Sequence, residues 1–594
     1  MIARAFKLRF RRRLRMRKLQ VEEFGQQAER QLERNFFRRL ERLVDVRRFV
    51  ITWIILIILL GGCVASQIGG LRGFYQQPEP VAGGTYSEGI LGSFTNANPI
   101  YATSPVDLAA SKLMFASLFT YSQDNTLKGD LATDWSVDDH GTLYTVRLRP
   151  GLTWHDGKPL TADDVAFTYK IIQNPDARSP LNPSWQSITV QATDPQTITF
   201  KLPSALSSFP YSLTNGIVPK HILANVPMSS LRTQQFNTVR PVGAGPFKFS
   251  ALEVDGGSAE TRQERLALVP FDKYHAGRPK LDRFVIHSFR SEENLVRSFK
   301  DQEVNAMVGL TAQPKGLDRA TTHTYNMPLT AAVMTFFKTT SGVLGEPAVR
   351  RALVRATDQH AVIKSLQYPA LPVRSPLLPD QVGYNAAYQQ APYDVEAAKK
   401  MLTEAGWLPG KGGFRYKDGN KLGFAMVAQN NTEYSAVARV LQKQWAAVGV
   451  DVDVVLEEYT DFQNTLSNHG YDALLYGISL GKDPDVLVYW DSKYAVQAAN
   501  RLNFSEYKST VADTALQAGR TRSDPALRAV KYQPFLQAWQ ADAPAVGLYE
   551  PRFSYITHGP VYGLEEHTIN AEVERFTNVQ DWMIREKGVS QTKQ

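Results

Sequence analysis

Cysteine is almost absent. The 594-residue chain has one, Cys63, so no intrachain disulfide can staple it and packing must supply its stability. Metal-ligand spacing is missing as well. The ten histidines are scattered, with no HxxxH or HExxH, and Glu565-Glu566-His567 reads as a solvated turn. No GxxxxGK[ST] phosphate loop occurs, so the chain has no nucleotide site of that kind. No cofactor or metal is expected. Charge of one sign is also scarce outside one segment: residues 1–48 hold 16 Lys+Arg against 6 Asp+Glu, and the remainder holds 51 basic and 52 acidic residues. The formal charge of +9 thus belongs to a tail. No helix-turn-helix or aromatic-interleaved pattern accompanies its arginines, and no nucleic-acid partner is expected.

Charge is wholly lacking from Phe49 to Leu71. As a helix those residues reach roughly 34 Å, enough for a hydrocarbon core of about 30 Å. The basic residues before it place 1–48 in the cytoplasm and everything after Arg72 outside. Phe6, Phe10 and Leu14, then Phe24, Ala28, Leu32, Phe36 and Leu40, step by four through the tail. That pattern predicts a basic amphipathic helix on anionic lipids, with coiled-coil association as the other option. Leu60-Gly61-Gly62-Cys63 resembles a lipobox, where Cys63 would be acylated; the long preceding segment favours an uncleaved signal-anchor. Residues 72–84, rich in Gln, Pro and Gly, read as an extended linker.

The body is dense in strand, turn and helix signals. Tyr144, Val146 and Leu148 alternate with polar residues as in a half-buried strand, which Pro150-Gly151 ends. Thr161 stands at an N-cap with Asp164 three residues on, followed by the helical stripe Val165, Tyr169, Ile172. Ser187–Leu202 reads as a hairpin turning at Asp194-Pro195. Val437, Val440, Leu441 and Trp445 form a helix stopped by Gly449, and Val450, Val452 and Val454 form a strand. Helix-then-strand units of this kind imply α/β layers.

Residues 131–172 closely resemble the extracellular solute-binding proteins of family 5, the peptide, nickel and oligosaccharide receptors of ABC importers. The resemblance lies in Ala132 to Trp135, Arg149 to Gly157 and Pro159 to Val165. Further blocks resemble the family in the same order: Gly243 to Phe247, Tyr274 to Pro279, Val349 to Leu353, Asp394 to Trp407 and Ala543 to Leu548. The resemblance implies an α/β, two-lobed periplasmic-binding-protein-like fold of type II, in the large peptide-binding subclass, preceded by one transmembrane helix. The expected division is a tail at 1–48, a signal-anchor at 49–71, a linker at 72–84, lobe I at 85–325, lobe II at 326–542, and a return to lobe I with a C-terminal tail at 543–594.

Tyr471 to Gly477, closed by Asp483-Pro484, resembles the family's strand and cleft loop. Peptide-binding members carry there an Asp that grips the ligand's α-amino group and a Trp that walls a pocket. Here Ile478 stands at the Trp, and Leu480 or Gly481 at the acid, which leaves Asp483 as the nearby carboxylate. The resemblance adds Asn96, Asn98, Tyr121, Asn430, Asn431, Tyr476, Ser479, Trp490 and Asn503 as cleft candidates, each equally readable as a turn cap or a core aromatic. A competing motif overlaps: Gly477-Ile478-Ser479-Leu480-Gly481 fits the hydrolase nucleophile elbow, with Asp513, Asp542, His558 and His567 downstream. Lys482-Asp483-Pro484-Asp485 follows it where that elbow needs a helix.

The expectation is a membrane-tethered, non-enzymatic receptor on the extracellular or periplasmic face. It would capture a peptide or other small solute by hinge closure and pass it to ABC permease subunits with a separate ATPase. A ligand-sensing membrane regulator and a serine hydrolase at Ser479 are the other readings. The anchor reading predicts that intact-mass measurement of the membrane-extracted protein shows the full chain with no diacyl adduct on Cys63; an adduct there would replace the anchor by lipidation.

Overall fold

Ala331–Phe337, AAVMTFF, is apolar at nearly every position, the mark of a strand buried on both faces. In the computed structural model, which describes residues 47–256, 262–310, 314–366, 368–496 and 502–590, it is a central strand of a six-stranded sheet. The order there is Leu371–Pro372, Ala545–Glu550, Ala331–Phe337, Ala473–Ser479, Gly423–Gln429, Asp451–Glu457. Val333 and Phe337 pack into one core, Ala332, Met334 and Phe336 into a second core on the opposite face. Thr432–Ala446 covers the first face with Val437, Ala438, Leu441 and Trp445, and the left-handed Gly449 turns the chain into the next strand. Pro525–Asp542 covers the second with Tyr532, Phe535, Leu536 and Trp539. This is the second lobe.

The first lobe is built on a seven-stranded mixed sheet. Its order is Thr322–Pro328, Arg552–His558, Ala306–Val308, Thr85–Leu91, Arg283–Phe289, Gln263–Pro270, Phe247–Asp255. Ala132–Val137, Leu143–Leu148, Thr197–Lys201 and Thr189–Asp194 form an antiparallel sheet whose buried face joins the same core. Ala162–Gln173 begins with the expected capping box: Thr161 N donates to Asp164 Oδ2 at 2.9 Å. Gly243 and Gly245 have a steric role, because a Cβ on either would run into the backbone at Met114, where Gly245 N donates to the Met114 carbonyl at 2.9 Å.

Three sequence expectations change at the edges, the first being that lobe I runs through Pro328 rather than ending at 325. The helix Arg47–Tyr75 runs into the segment read as a linker, and Gln76–Val81 then pairs as a strand with Arg585–Ser590. Its partner lies five hundred residues away, beyond any local signal. The return to the first lobe starts at Pro551 rather than 543, since Ala545–Glu550 belongs to the second sheet. The expected amphipathic helix in the basic tail lies outside the described residues. One described helix is long and apolar enough to cross a membrane, over Phe49–Gln67 with mean hydropathy 2.6.

A buried ion pair closes the first lobe. Arg575 donates to Glu88 with both side chains at 2% exposure or less. The Tyr555 hydroxyl donates to the same carboxylate at 2.7 Å, and the guanidinium lies 4.0 Å from the Phe576 ring centroid. Removing one member of such a pair strands the other charge, at about 3–5 kcal/mol. Glu88→Ala should therefore lower stability by about that amount, whereas Glu88→Leu with Arg575→Met should recover most of it. Urea unfolding followed by tryptophan emission measures both, with Trp582 packed 6.3 Å from Tyr555 as reporter.

Candidate functional site: the cleft between the lobes

Two strands pass from one sheet to the other. Thr322–Pro328 leads into Ala331–Phe337, and Ala545–Glu550 into Arg552–His558. The crossings are tied where Leu329 N donates to the Pro551 carbonyl at 3.0 Å. A cavity of about 320 Å³ lies beside them. Ile90, Pro105, Leu108, Val308 and Val573 line it from the first lobe, Ala331 and Ser479 from the second, with Thr103, Asn570, Glu572 and Arg575 as the other polar wall residues. Groups from both lobes thus meet around one apolar space.

Along the same cleft, Tyr121 stacks on Tyr211 with ring centroids 6.2 Å apart. Both belong to the first lobe. Burial, then the charge of Asp483 on the second lobe, raises the Tyr211 phenol. At Tyr121, burial comes first, followed by Glu574, Tyr211 and Asp483. Asp483 itself is gripped by Arg528 through two bonds of 2.5 and 2.6 Å, both side chains below 10% exposure. Against the desolvation that burial imposes, the carboxylate holds the Arg528 guanidinium above its ordinary value. Further out, Ser207 N and Oγ each donate to the Arg520 carbonyl at 2.9 Å. Ser208 Oγ reaches Asp485 at 3.1 Å, and Arg520 holds the same carboxylate at 3.0 Å. These contacts latch a first-lobe loop onto the second lobe.

The residues singled out from sequence separate into two groups. Ser479 is exposed on the cavity wall, and Tyr121 and Asp483 lie along the cleft. The others have structural partners. Asn96 Oδ1 accepts from Asn98 N at 2.7 Å, and the Asn98 carboxamide bonds Ile100 N and Asn237. Asn430 donates to Glu458, while Asn431 caps the helix at Tyr434 N. Tyr476 packs on Phe462 and Phe504. Ile478, Leu480 and Trp490 are buried in the second-lobe core. Asn503 is fully buried, bonded to Asp491 and Tyr507 backbone atoms.

The hydrolase constellation is not assembled. Ser479 ends a strand and enters a loop, with a four-residue helix only at Leu487–Trp490. His558 is engaged on the Phe299 carbonyl and ring, Asp542 on the Tyr507 hydroxyl, and Asp513 on Ser492 N. Among the described residues, no histidine or carboxylate hydrogen-bonds to Ser479, so the groups present can hold a solute but are not arranged as nucleophile and base.

Sequence reading missed Arg528, Tyr211 and Glu572. Arg528 did leave a signal: it steps with Tyr532, Phe535 and Trp539 at spacings of four, three and four on one buried helical stripe. A guanidinium on such a stripe demands a buried acid. Which acid answers it depends on the fold.

A model described as bacterial extracellular solute-binding proteins, family 5 Middle, matches residues 126–500. The oligopeptide-binding protein AppA of Bacillus subtilis (strain 168) is 26% identical over 518 residues, covering 84% of this chain and 92% of that protein. Its structure in complex with a nonapeptide superposes with a TM-score of 0.67 at 25% identity, over 85% of this chain and all of that one. The ABC transporter substrate-binding protein CtaP of Listeria monocytogenes shares the fold, with a TM-score of 0.72 at 24% identity over 85% of this chain and all of that one. With two lobes on crossed strands, a shared cleft and this match across most of its body, the chain belongs to the bacterial extracellular solute-binding proteins, family 5.

Proposed function

We propose that this protein is a membrane-tethered receptor of an ABC importer, capturing an oligopeptide-like solute between its lobes and passing it on unaltered. The observation that carries the reading is the cavity beside the crossed strands, whose wall is shared by the two lobes. A solute touching both walls is fully gripped only when they approach, so it shifts the hinge toward closure. The relation to an oligopeptide-binding protein supports a peptide as the class of solute. Asp483 is already neutralised by Arg528, which favours a solute recognised through other groups of the cleft.

The exposed apolar helix over Phe49–Gln67 supports a single-pass anchor with the body outside the cell. The basic tail at 1–48 would rest on anionic lipid headgroups inside. Permease subunits and a separate ATPase complete the transporter in this reading.

A pool of oligopeptides should raise the melting temperature of the detergent-solubilised protein. A ligand at a hundred times its Kd contributes about 2.7 kcal/mol. Mass spectrometry should recover the bound peptide at unchanged mass, and a fluorophosphonate should leave Ser479 unlabelled. Indifference to every peptide, or recovery of cleaved products, overturns the reading.

A further inference from the structure

Four of the acids named along the cleft are engaged. Asp483 is held by Arg528, and Asp485 by Arg520 and Ser208. Glu574 accepts from Asn570 N and Nδ2 at 2.7 and 3.1 Å. Glu88 holds Arg575. Glu572 differs: it is half-buried on the cavity wall, and among the described residues its carboxylate has no hydrogen-bond or ion-pair partner. Arg575 lines the same cavity, yet its guanidinium is turned to Glu88 and to the Glu572 backbone carbonyl, so that pair brings no net charge. Burial raises the Glu572 carboxyl, partly opposed by Arg575.

An ionised carboxylate facing an apolar cavity is costly unless a cation meets it. None of the described residues does, so the cation must come with the solute. A metal ion fits poorly, because no group of three or more His, Cys, Asp or Glu side chains able to hold one occurs among the described residues. An organic ammonium fits well. It needs one carboxylate and a few hydroxyls or carbonyls, and Thr103 and Ser479 line the same cavity. Ile90, Pro105, Leu108, Val308 and Val573 would cover an apolar group beside it. At about 320 Å³ the space is at the small end of ligand pockets, which span about 300–1,000 Å³, and suits a single residue-sized group.

We propose that Glu572 is the specificity-determining anchor of the cleft, receiving a primary ammonium attached to a compact apolar group. The inference rests on reading the cleft as the solute site and names the charge that the solute must carry.

Leucinamide and N-acetyl-leucinamide isolate that charge, being alike except for the ammonium. With the full chain in detergent, leucinamide should raise the melting temperature, and the acetylated compound should do so far less. Glu572→Gln should weaken leucinamide binding about tenfold or more, the factor corresponding to about 1.4 kcal/mol, and should abolish the preference for the free amine. Glu572→Asp should retain the preference. Without ligand, Glu572→Gln should melt at or above the wild-type temperature, because it removes a charge the fold does not neutralise; a purely structural role predicts the opposite. A wild type indifferent to leucinamide, a preference surviving Glu572→Gln, or a destabilised Glu572→Gln overturns the proposal. A protein that takes up peptides but ignores the amine defeats the ammonium site alone. One that holds leucinamide through Glu572 but no peptide defeats the peptide reading alone.

Discussion

Glu88 and Arg575 stand 487 positions apart and touch in the buried interior of the first lobe. A carboxylate and a guanidinium tolerate such burial only when paired and hydrogen-bonded, and here Tyr555, Phe553 and Phe576 complete the enclosure. Much else follows from this one contact. It joins the first strand of the seven-stranded sheet to the segment that closes the chain, fixing the backbone from Asn570 to Arg575. Residues of that segment line the cleft cavity. Arg575 is turned inward to Glu88, and Glu572, three residues earlier, lines the cavity.

The two lobes solve the packing problem differently. The second-lobe sheet has a core on each face, and its central strand is accordingly apolar almost throughout. The first-lobe sheet has a large core on one face, where it merges with the four-stranded sheet, and a small one on the other, around Leu295 and Phe299. Crossing strands join two well-packed bodies, and a hinge between such bodies would move where few side chains are locked. The latch of Ser207 and Ser208 on Arg520 and Asp485 is polar and partly exposed, and such contacts exchange readily with water.

Local structure was legible wherever a local rule produced it. The Thr161 and Asp164 box, the hairpin around Asp194-Pro195 and the glycine stop at Gly449 all depend on residues within a few positions of one another, and the structure contains each. Long-range pairing was not legible. Gln76–Val81 looks like a linker until Arg585–Ser590 lies beside it. Strand Ala545–Glu550 reads the same whichever sheet receives it. In the cleft, sequence picked out residues suited to holding a ligand, but Asn98 and Asn503 have the same hydrogen-bonding groups turned to their own backbone surroundings. Asp483 was visible as an acid, whereas Arg528, which determines what that acid can do, stands on another element.

The short ladder between Gln76–Val81 and Arg585–Ser590 pairs the two segments that flank the lobes in sequence, immediately after the apolar helix. Everything between them becomes a loop closed by backbone hydrogen bonds. A protease that seized the chain beyond Arg585–Ser590 and pulled would have to open this clasp before it loaded either core. The clasp that follows the apolar helix would then also bar the entrance to degradation.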